Sequence, residues 1–428
     1  MSAQTVVVDT PSTAAAVQAK IAWRAPVLYL GVALLSLVVF ALGTDPDATT
    51  TFMVASANDF VTIAPFAVPS QLTALLLSSV ALVLAGWAAW ATSRRIDVPV
   101  WLPITFGGLV LLAFLVWVMA GNTNALPLTI LLAGALTLSV PLVFGALAGM
   151  LCERSGIINI AIEGQLLGGA FLAVVVGSLT GNAYAGMIAA PLAGALVGWV
   201  LVTFAVRYRI DQIIVGVVLN VLVIGLTNYL FSTLLTDNPQ TLNSPPRLPT
   251  LPIPVLSQIP VIGPVLFNHS LVIYLMYIAV AVLQVMVFRS RWGLRMRSVG
   301  EHPKAADTVG INVNRTRVRN TVLGGAVAGL GGAALVAAGL AFTKELTSGK
   351  GYIALAAMIL GRWSPRGALA AALLFGFADS LRRVLGNLGS PIPSEFLAML
   401  PYLATIFAVA GLVGRVRAPA AEGIPYVK

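Results

Sequence analysis

Long stretches without any charged residue constrain this chain more than any other feature of its sequence. No Asp, Glu, Lys or Arg occurs in 98–152, 164–206, 212–236, 248–288 or 320–343. A helix that crosses a bilayer needs about 20 apolar residues, so each of the first two stretches is long enough for two spans. Gly, Pro and Asn residues divide the chain further into hydrophobic segments at 26–43, 66–91, 101–120, 127–150, 157–180, 184–206, 213–234, 270–289, 320–341, 352–363, 367–385 and 396–414.

The predicted fold class is therefore all-α, a polytopic membrane protein with about 10–12 transmembrane helices. Segment 352–363 is too short to span comfortably, which indicates a re-entrant or half-helix. Composition agrees, since 58% of the residues are hydrophobic and only 9% are charged, against roughly 25% in an ordinary globular domain. So few charges exclude a soluble enzyme, a secreted disulfide scaffold and a disordered chain. The lone Cys152 excludes an intrachain disulfide.

The net charge of +10 comes from basic residues at the ends of apolar spans, and no long basic run predicts nucleic-acid binding. If the N-terminus is cytoplasmic and the spans alternate, 20 of the 25 Lys and Arg residues fall inside. Both termini are therefore predicted to be cytoplasmic, with a disordered tail at 1–25 and a second tail at 415–428. Residues 26–120 form the N-terminal spans.

Two connections between the predicted spans are long. Residues 235–269 are rich in proline, which blocks helix and predicts a rather rigid external loop. Residues 290–319 form the main internal loop and the most charged stretch of the chain. Within it, Pro303 suits the first turn of a helix and Gly310 suits a left-handed end. This predicts a helix of about two turns that exposes small residues to a partner surface, although an amphipathic interfacial helix would show the same pattern.

The pattern Ala-Ala-x-x-x-Gly over 305–310 resembles the coupling loop of ABC-importer permeases, which docks in a groove of the ATP-hydrolysing subunit. The resemblance implies an ATPase-coupling element made of Glu301, Pro303, Ala305, Ala306 and Gly310. The run 293–306, the residues 310–313 and the glycine-rich helix 324–332 are similar to one branch of these permeases. That branch carries nucleosides, simple sugars and branched-chain amino acids.

Two further stretches narrow the resemblance. Residues 153–164, Glu-Arg-Ser-Gly-Ile-Ile-Asn-Ile-Ala-Ile-Glu-Gly, resemble the signature of the nucleoside-type permeases. Sugar permeases have a related Gly-x-Asp-Leu-Ser-x-Gly there, whereas this chain has Asn159 and Glu163. A third match runs from 349 to 367. The resemblance covers 127–414, which is the predicted permease core.

An ionisable residue within apolar sequence, Glu163, marks the predicted solute pathway. Such a group is costly in a membrane unless it faces a cavity, a partner or a solute. Gly156 and Gly164 permit a broken helix, which membranes tolerate only beside protein or water. The predicted pathway residues are Asn159, Glu163, Gln165, Asn220 and Asn228. Alternatively, Glu163 pairs with Arg154 as a structural link, and the asparagines only bond neighbouring helices.

The sequence predicts no catalytic residue and no metal site, since His269 and His302 are far apart and no nucleophile stands beside a base. Lys344 occupies the place where G-x-x-x-x-G-K needs its first Gly, so the chain lacks a Walker motif. Gly329-x-Gly331 indicates close helix packing instead of a dinucleotide site. The charge of Asp379 is expected to be neutralised by Arg382 and Arg383, which lie three and four positions later in the sequence.

The resemblance implies a bacterial inner-membrane (plasma-membrane) ABC importer made of two permease subunits, two ATPase subunits and an external solute-binding protein. This chain would be a non-enzymatic permease that binds no cofactor, with ATP and Mg on the ATPase partners. The expected solute is a nucleoside, moved by alternating access, and the second permease is expected to be a different chain. Two alternatives stay open. One is the same architecture for simple sugars or branched-chain amino acids, and the other is an ion-driven carrier that uses Glu163 and Asp379.

Overall fold

The computed structural model describes residues 23–55, 63–99, 101–390, 392–407 and 417–428. The chain divides into two compact units. Unit 1 comprises 1–48 and 69–120, and unit 2 comprises 49–68 and 121–428. Nearly all of the predicted tail 1–25 lies outside the described residues, as does the end of the last predicted span.

The described part of unit 1 contains three apolar helices: α1 (Arg24–Leu35, continued by the π-helical turn Ser36–Ala41), α2 (Ser70–Ser93) and α3 (Trp101–Val118). Alanines 81, 85 and 88 of α2 lie on one buried face, where small side chains let helices approach closely. Large apolar residues face outward, as Val83 does with 71% of its surface exposed. The three predicted N-terminal spans are therefore confirmed as apolar helices.

Unit 2 contains the remaining helices of the described chain: α4 (Leu128–Glu153), α5 (Ile162–Thr180), α6 (Ala183–Val202), α7 (Gln212–Leu230), α8 (Pro239–Leu242), α9 (Ile262–Leu266), α10 (Leu271–Arg289), α11 (Arg291–Glu301), α12 (Pro303–Thr308), α13 (Val313–Val336), α14 (Lys350–Leu360), α15 (Pro365–Asn387) and α16 (Ser394–Phe407). The π-helical turns Thr203–Arg207 and Phe231–Leu235 extend α6 and α7. Helices α4 and α5 are the most buried of the candidate spans, so they lie at the centre of this unit.

Among the residues that the structure describes, five short strands connect helices: β1 (Thr49–Met53), β2 (Phe66–Pro69), β3 (Leu126–Pro127), β4 (Thr250–Pro252) and β5 (Asn268–Ser270). The first three form a sheet in the order β2-β1-β3, in which β1 and β3 run parallel with Phe52 opposite Leu126. Strands β4 and β5 pair antiparallel, with Leu251 opposite His269. The Pro-rich connection 235–269 therefore contains local secondary structure, and its predicted stiffness and external position stay predictions.

Eight helices of the described chain are long and apolar enough to cross a membrane: α1 with its extension, α2 to α7, and α10. Helices α13 and α15 have 24 and 23 residues, so they also reach spanning length although they carry charges. Helix α14 has 11 residues, which confirms the prediction of a short tenth segment. The all-α polytopic fold class is confirmed.

Two predicted helix boundaries are wrong. The fifth span is expected from residue 157, but α4 ends at Glu153 and α5 begins only at Ile162, because the chain between them is not helical and Gly156 has φ of +89°. Gly164 lies inside α5 and does not break it. Helix α13 was expected from residue 320 but begins at Val313, because Asn312 caps it by accepting a hydrogen bond from the next helical turn.

Glycines bring α6 and α13 into close contact. Gly194 on α6 lies against Gly325 and Gly329 on α13, and a Cβ at any of the three would collide with the opposite backbone. Helices in lipid gain little from hydrophobic association, so close packing of small residues is what holds them together. This confirms that the glycine-rich stretch serves helix packing.

Candidate functional site

The chain breaks between α4 and α5, at the stretch predicted to line the pathway. Residues 154–161 are not α-helical, and Gly156 adopts a left-handed conformation that favours glycine. The backbone N–H of Ile158 donates to the side-chain oxygen of Gln212 on α7 at 2.7 Å. A side chain from a neighbouring helix therefore satisfies backbone that the break leaves without a helical partner.

Asn159 and Gln165 bond to each other across this break. The Nδ2 of Asn159 donates to Oε1 of Gln165 at 3.0 Å, and the Nε2 of Gln165 donates back to Oδ1 of Asn159 at 3.3 Å. Both side chains are fully buried. The reciprocal pair therefore ties the non-helical segment to the first turns of α5.

The carboxylate of Glu163 is buried, and it holds the start of α14. It accepts hydrogen bonds from the hydroxyl of Thr347 at 2.6 Å, from the N–H of Gly349 at 2.8 Å and from the N–H of Gly351 at 2.5 Å. A carboxylate at a helix N-terminus is favourable because the free N–H groups and the helix dipole point towards it. Its charge therefore has specific partners in the protein.

The predicted pair between Glu163 and Arg154 does not form. The Nε of Arg154 instead donates to the carbonyl oxygen of Trp363 at 3.0 Å, and its guanidinium lies over the ring of Phe288. Arg154 therefore joins the end of α4 to the segment after α14. The alternative that Glu163 makes a structural link was right in that its carboxylate is bound to protein groups, but it named the wrong partner.

Asn220 joins the same cluster and Asn228 does not. The Oδ1 of Asn220 accepts from the N–H of Gly164 at 2.8 Å, and its Nδ2 donates to the carbonyl of Ile160 at 2.9 Å and to the hydroxyl of Tyr352 at 3.2 Å. Asn228 is half-buried, and its Oδ1 is buried without a hydrogen-bond partner. We call Asn159, Glu163, Gln165 and Asn220 the α5 polar network.

The α5 polar network connects α5, α7 and α14 through groups that all have protein partners. Sequence reasoning missed Thr347, Tyr352 and Gln212, which supply several of these partners. The sequence did mark the stretch 349–357, because it resembles related permeases, but the resemblance assigned no role to its residues. Contact between the network and a solute stays a prediction, and the arrangement itself fixes the position of the break.

The internal loop 290–319 is helical over most of its length, and α12 forms the short helix predicted within it. Pro303 begins α12, and Gly310 ends the turn after it with φ at +82°. Ala305 and Gly310 are exposed, as is Val309 with 75% of its surface accessible. Ala306 is only 3% exposed, so the prediction that both alanines face a partner is wrong for this one.

Arginines surround an open cavity beside α12. The cavity has a volume of about 960 Å³, and its lining includes Arg291, Arg295, Arg315 and Arg319. The ion pairs found among the described residues involve none of these four guanidinium groups. This surface is therefore strongly basic, and it is continuous with the exposed side of α12.

A second cavity, of about 250 Å³, lies between α4, α14, α15 and α16 and includes Lys350, Asp379, Arg382 and Tyr402 in its lining. The carboxylate of Asp379 pairs with Arg382 at 2.9 Å and with Arg383 at 3.5 Å. The prediction that these arginines neutralise Asp379 is confirmed. The residues of the α5 polar network do not line this cavity.

A chain with this architecture can be assigned to a protein family by its sequence. A family described as the permease component of branched-chain amino acid transport systems matches residues 131–410. The chain belongs to this permease family. The match runs from α4 to α16, so it covers the break, the α5 polar network and the loop with α12, whereas unit 1 lies outside it.

Several curated permeases are similar to this one over most of their length. The guanosine ABC transporter permease protein NupQ of Bacillus subtilis is 39% identical over 70% of this chain and 97% of its own. The nucleoside ABC transporter permease protein NupC of Lactococcus lactis is 38% identical over 70% and 98%. A second guanosine permease protein of B. subtilis, NupP, is 28% identical over 65% and 82%. No solved structure matches the permease.

Proposed function

We propose that this permease is the membrane-spanning subunit of an ABC importer that carries nucleosides into the cytoplasm. The observation that carries the proposal is α12, a short helix that exposes Ala305, Val309 and Gly310 between two helices of spanning length. The names of two relatives, each matched over nearly its entire length, support the solute class.

ATP hydrolysis belongs to partner subunits in this proposal. The only stretch that resembles a phosphate loop contains Gly349 and Gly351, and their N–H groups donate to the carboxylate of Glu163. A phosphate loop needs such N–H groups free to surround an anion, and a buried carboxylate beside them would repel one. In this proposal ATP and Mg bind to the ATPase subunits, and this chain supplies the surface that receives their motion.

The basic surface around α12 faces the cytoplasm in this proposal, together with both termini, because that placement puts most Lys and Arg residues inside. The ATPase groove that receives α12 should then carry acidic residues, since complementary charge directs docking. The external solute-binding protein meets the opposite side. Two guanosine permease proteins of one organism match this chain to different degrees, which supports a heterodimer of permeases.

Alternating access would move the segment between α4 and α5. Side chains of α7 accept from the N–H groups of Ile158 in this segment and Gly164 in α5, and Glu163 accepts from the N–H of Gly349 at the start of α14. A shift of α7 or α14 would therefore displace the segment and the first turn of α5. In the inward-open state, the predicted pathway residues Asn159, Glu163, Gln165 and Asn220 would exchange some protein partners for the solute. Amide and carboxylate groups suit the ring nitrogens and hydroxyls of a nucleoside.

The docking role is tested with Ala305→Arg in the complete transporter. A large side chain on the exposed face of α12 should prevent close approach, so solute-stimulated ATP hydrolysis should fall to the unstimulated level while expression stays normal. Ala341→Arg is the matched control, because Ala341 is also exposed but lies between α13 and α14. Stimulation that is unchanged by Ala305→Arg would contradict docking through α12.

Solute class is tested by binding to the partner solute-binding protein and by uptake without the ATPase subunits. Nucleoside binding and ATPase-dependent uptake support the proposal. Binding of a simple sugar or a branched-chain amino acid would keep the architecture and change the solute. Uptake that survives loss of the ATPase subunits but collapses with an uncoupler would support an ion-driven carrier.

A further inference from the structure

The C-terminal segment 417–428 is predicted from sequence only as a cytoplasmic tail, yet it is bound to the protein along its length. Arg317 at the start of α13 is 1% exposed, and its guanidinium donates to the carbonyl of Ile424 at 2.9 Å and to that of Ala421 at 3.5 Å. The N–H of Ala421 donates to the carbonyl of Gly300 at 2.8 Å. A nearly fully buried arginine thus has backbone carbonyls of this segment as acceptors.

The same segment contacts α12 and the residues just before it. The N–H of Ala420 donates to Oε2 of Glu301 at 3.3 Å. The ring of Tyr426 packs against the small apolar cluster that buries Ala306. The ammonium group of Lys428 lies 3.9 Å from the carboxylate of Asp307. These contacts explain why Ala306 is buried although its neighbour Ala305 is exposed.

Residues of the segment also reach the break between α4 and α5. The carboxyl group of Glu422 lies against that of Glu153, the last residue of α4, which accepts a hydrogen bond from the indole N–H of Trp363 at 2.5 Å. Gly423 adopts φ of +74°, and a Cβ there would lie only 2.8 Å from the side chain of Ile158. The segment therefore touches the residues on both sides of Gly156.

We propose that residues 417–428 form a brace that positions α12 and transmits its displacement to the break between α4 and α5. The brace packs on the buried side of α12, beside Ala306, and leaves the face with Ala305 and Val309 open. A segment that blocked docking would cover that open face, so the contacts fit a support and not an inhibitor. The inference rests on the proposed function, because it deepens how docking at α12 reaches the solute pathway.

The test uses the complete transporter in lipid nanodiscs, with Ala421→Pro as the variant. Proline removes the N–H that donates to Gly300, so the brace should detach without loss of the helices. Ala418→Pro is the matched control, because Ala418 is exposed at the start of the same segment. Truncation after Arg417 is the second variant. Assembly is checked by co-purification of the ATPase subunits.

Two readouts separate a positioning role from a merely structural one. Hydrogen exchange should become faster both in 303–310 and in 154–161 when the brace detaches. The number of solute molecules imported per ATP hydrolysed should fall by about tenfold, within the usual range of coupling between sites. Faster exchange confined to 303–310, or an unchanged transport ratio, would overturn the proposal. If the unmodified transporter imports no nucleoside, the proposed function fails, and the exchange pattern still decides whether the brace links the two regions.

Discussion

Two regions of unit 2 use polar residues in opposite ways. In the α5 polar network every member has protein partners, and the carboxylate of Glu163 accepts three hydrogen bonds in a nearly fully buried place. Around α12, the arginines that line the basic cavity carry their charges at an open surface. An unpaired polar group in apolar surroundings carries a large free-energy cost, whereas an exposed charged group without a partner costs little. The difference shows that the first region fixes neighbouring helices of the permease, whereas the second leaves charge exposed at the surface that we propose for docking.

Among the variants that test this difference, Glu163→Gln should have the largest effect on stability. A glutamine offers one acceptor oxygen and presents an amide donor towards the N–H groups of Gly349 and Gly351. We expect the free energy of unfolding in detergent to fall by about 3 kcal/mol and uptake to be impaired. Glu345→Gln is the control, since Glu345 is exposed on the segment before α14. Equal melting temperatures for the two variants would show that the network does not fix the helices.

Gly351→Ala tests the same region by crowding. A Cβ at Gly351 would collide with the backbone of Glu163, which has little freedom to move. The expected destabilisation is about 2 kcal/mol, measured by the same thermal unfolding. Gly225→Ala should be neutral or slightly stabilising, because a Cβ there meets open space on α7. A comparable loss in both variants would contradict tight contact between α5 and α14.

The docking of the brace, which contacts both α12 and the break, should depend on pH. Burial raises the pKa of the Glu422 carboxyl, which lies against Glu153 on α4, with Arg317 on α13 and Glu301 on α11 nearby. A raised pKa means that the docked state binds more protons, so docking is strongest at low pH and weakens as pH rises through the raised pKa. The exchange protection of the Ala421 amide, corrected for its intrinsic pH dependence, should therefore fall as pH rises through the raised pKa of Glu422. Glu422→Gln should reduce that dependence, and an unchanged profile would contradict the role of the carboxyl pair.

Arg295→Gln should have the smallest effect on stability, within about 0.5 kcal/mol, because the side chain is exposed. Its effect should instead appear in the complex. Affinity for the ATPase subunits should fall and become less sensitive to salt, since an exposed charge acts through screened attraction. A large loss of thermal stability, with unchanged ATPase affinity, would reverse the assignment of this region.

The sequence predicted the helices because charge-free stretches translate directly into spans, and α2, α3 and α4 lie within a few residues of their expected positions. It also predicted the break near Gly156 and the short helix at Pro303, since glycine and proline act locally. The partners of Glu163 were out of reach, because Thr347 and Gly351 are almost two hundred residues away along the chain. Contacts between residues so far apart in the sequence cannot be predicted from local sequence patterns.

The brace was missed for the same reason. Residues 417–428 have the composition of a tail, and only the folded chain shows the guanidinium of Arg317 below them. Ala306 is buried in the apolar cluster against which Tyr426 of this segment packs, so its exposure could not be predicted from helix spacing alone. Local pattern thus predicted most of the helices, with wrong starts for α5 and α13, and long-range contacts determined which of their faces stay exposed.

The most direct test of the account is ATP-driven uptake of labelled guanosine into proteoliposomes that contain the permease with its ATPase and solute-binding partners. We expect uptake that requires ATP, that unlabelled nucleosides inhibit by competition, and that ribose and leucine leave unchanged. Uptake of leucine or ribose in place of guanosine, or guanosine uptake that needs an ion gradient and no ATP, would contradict it.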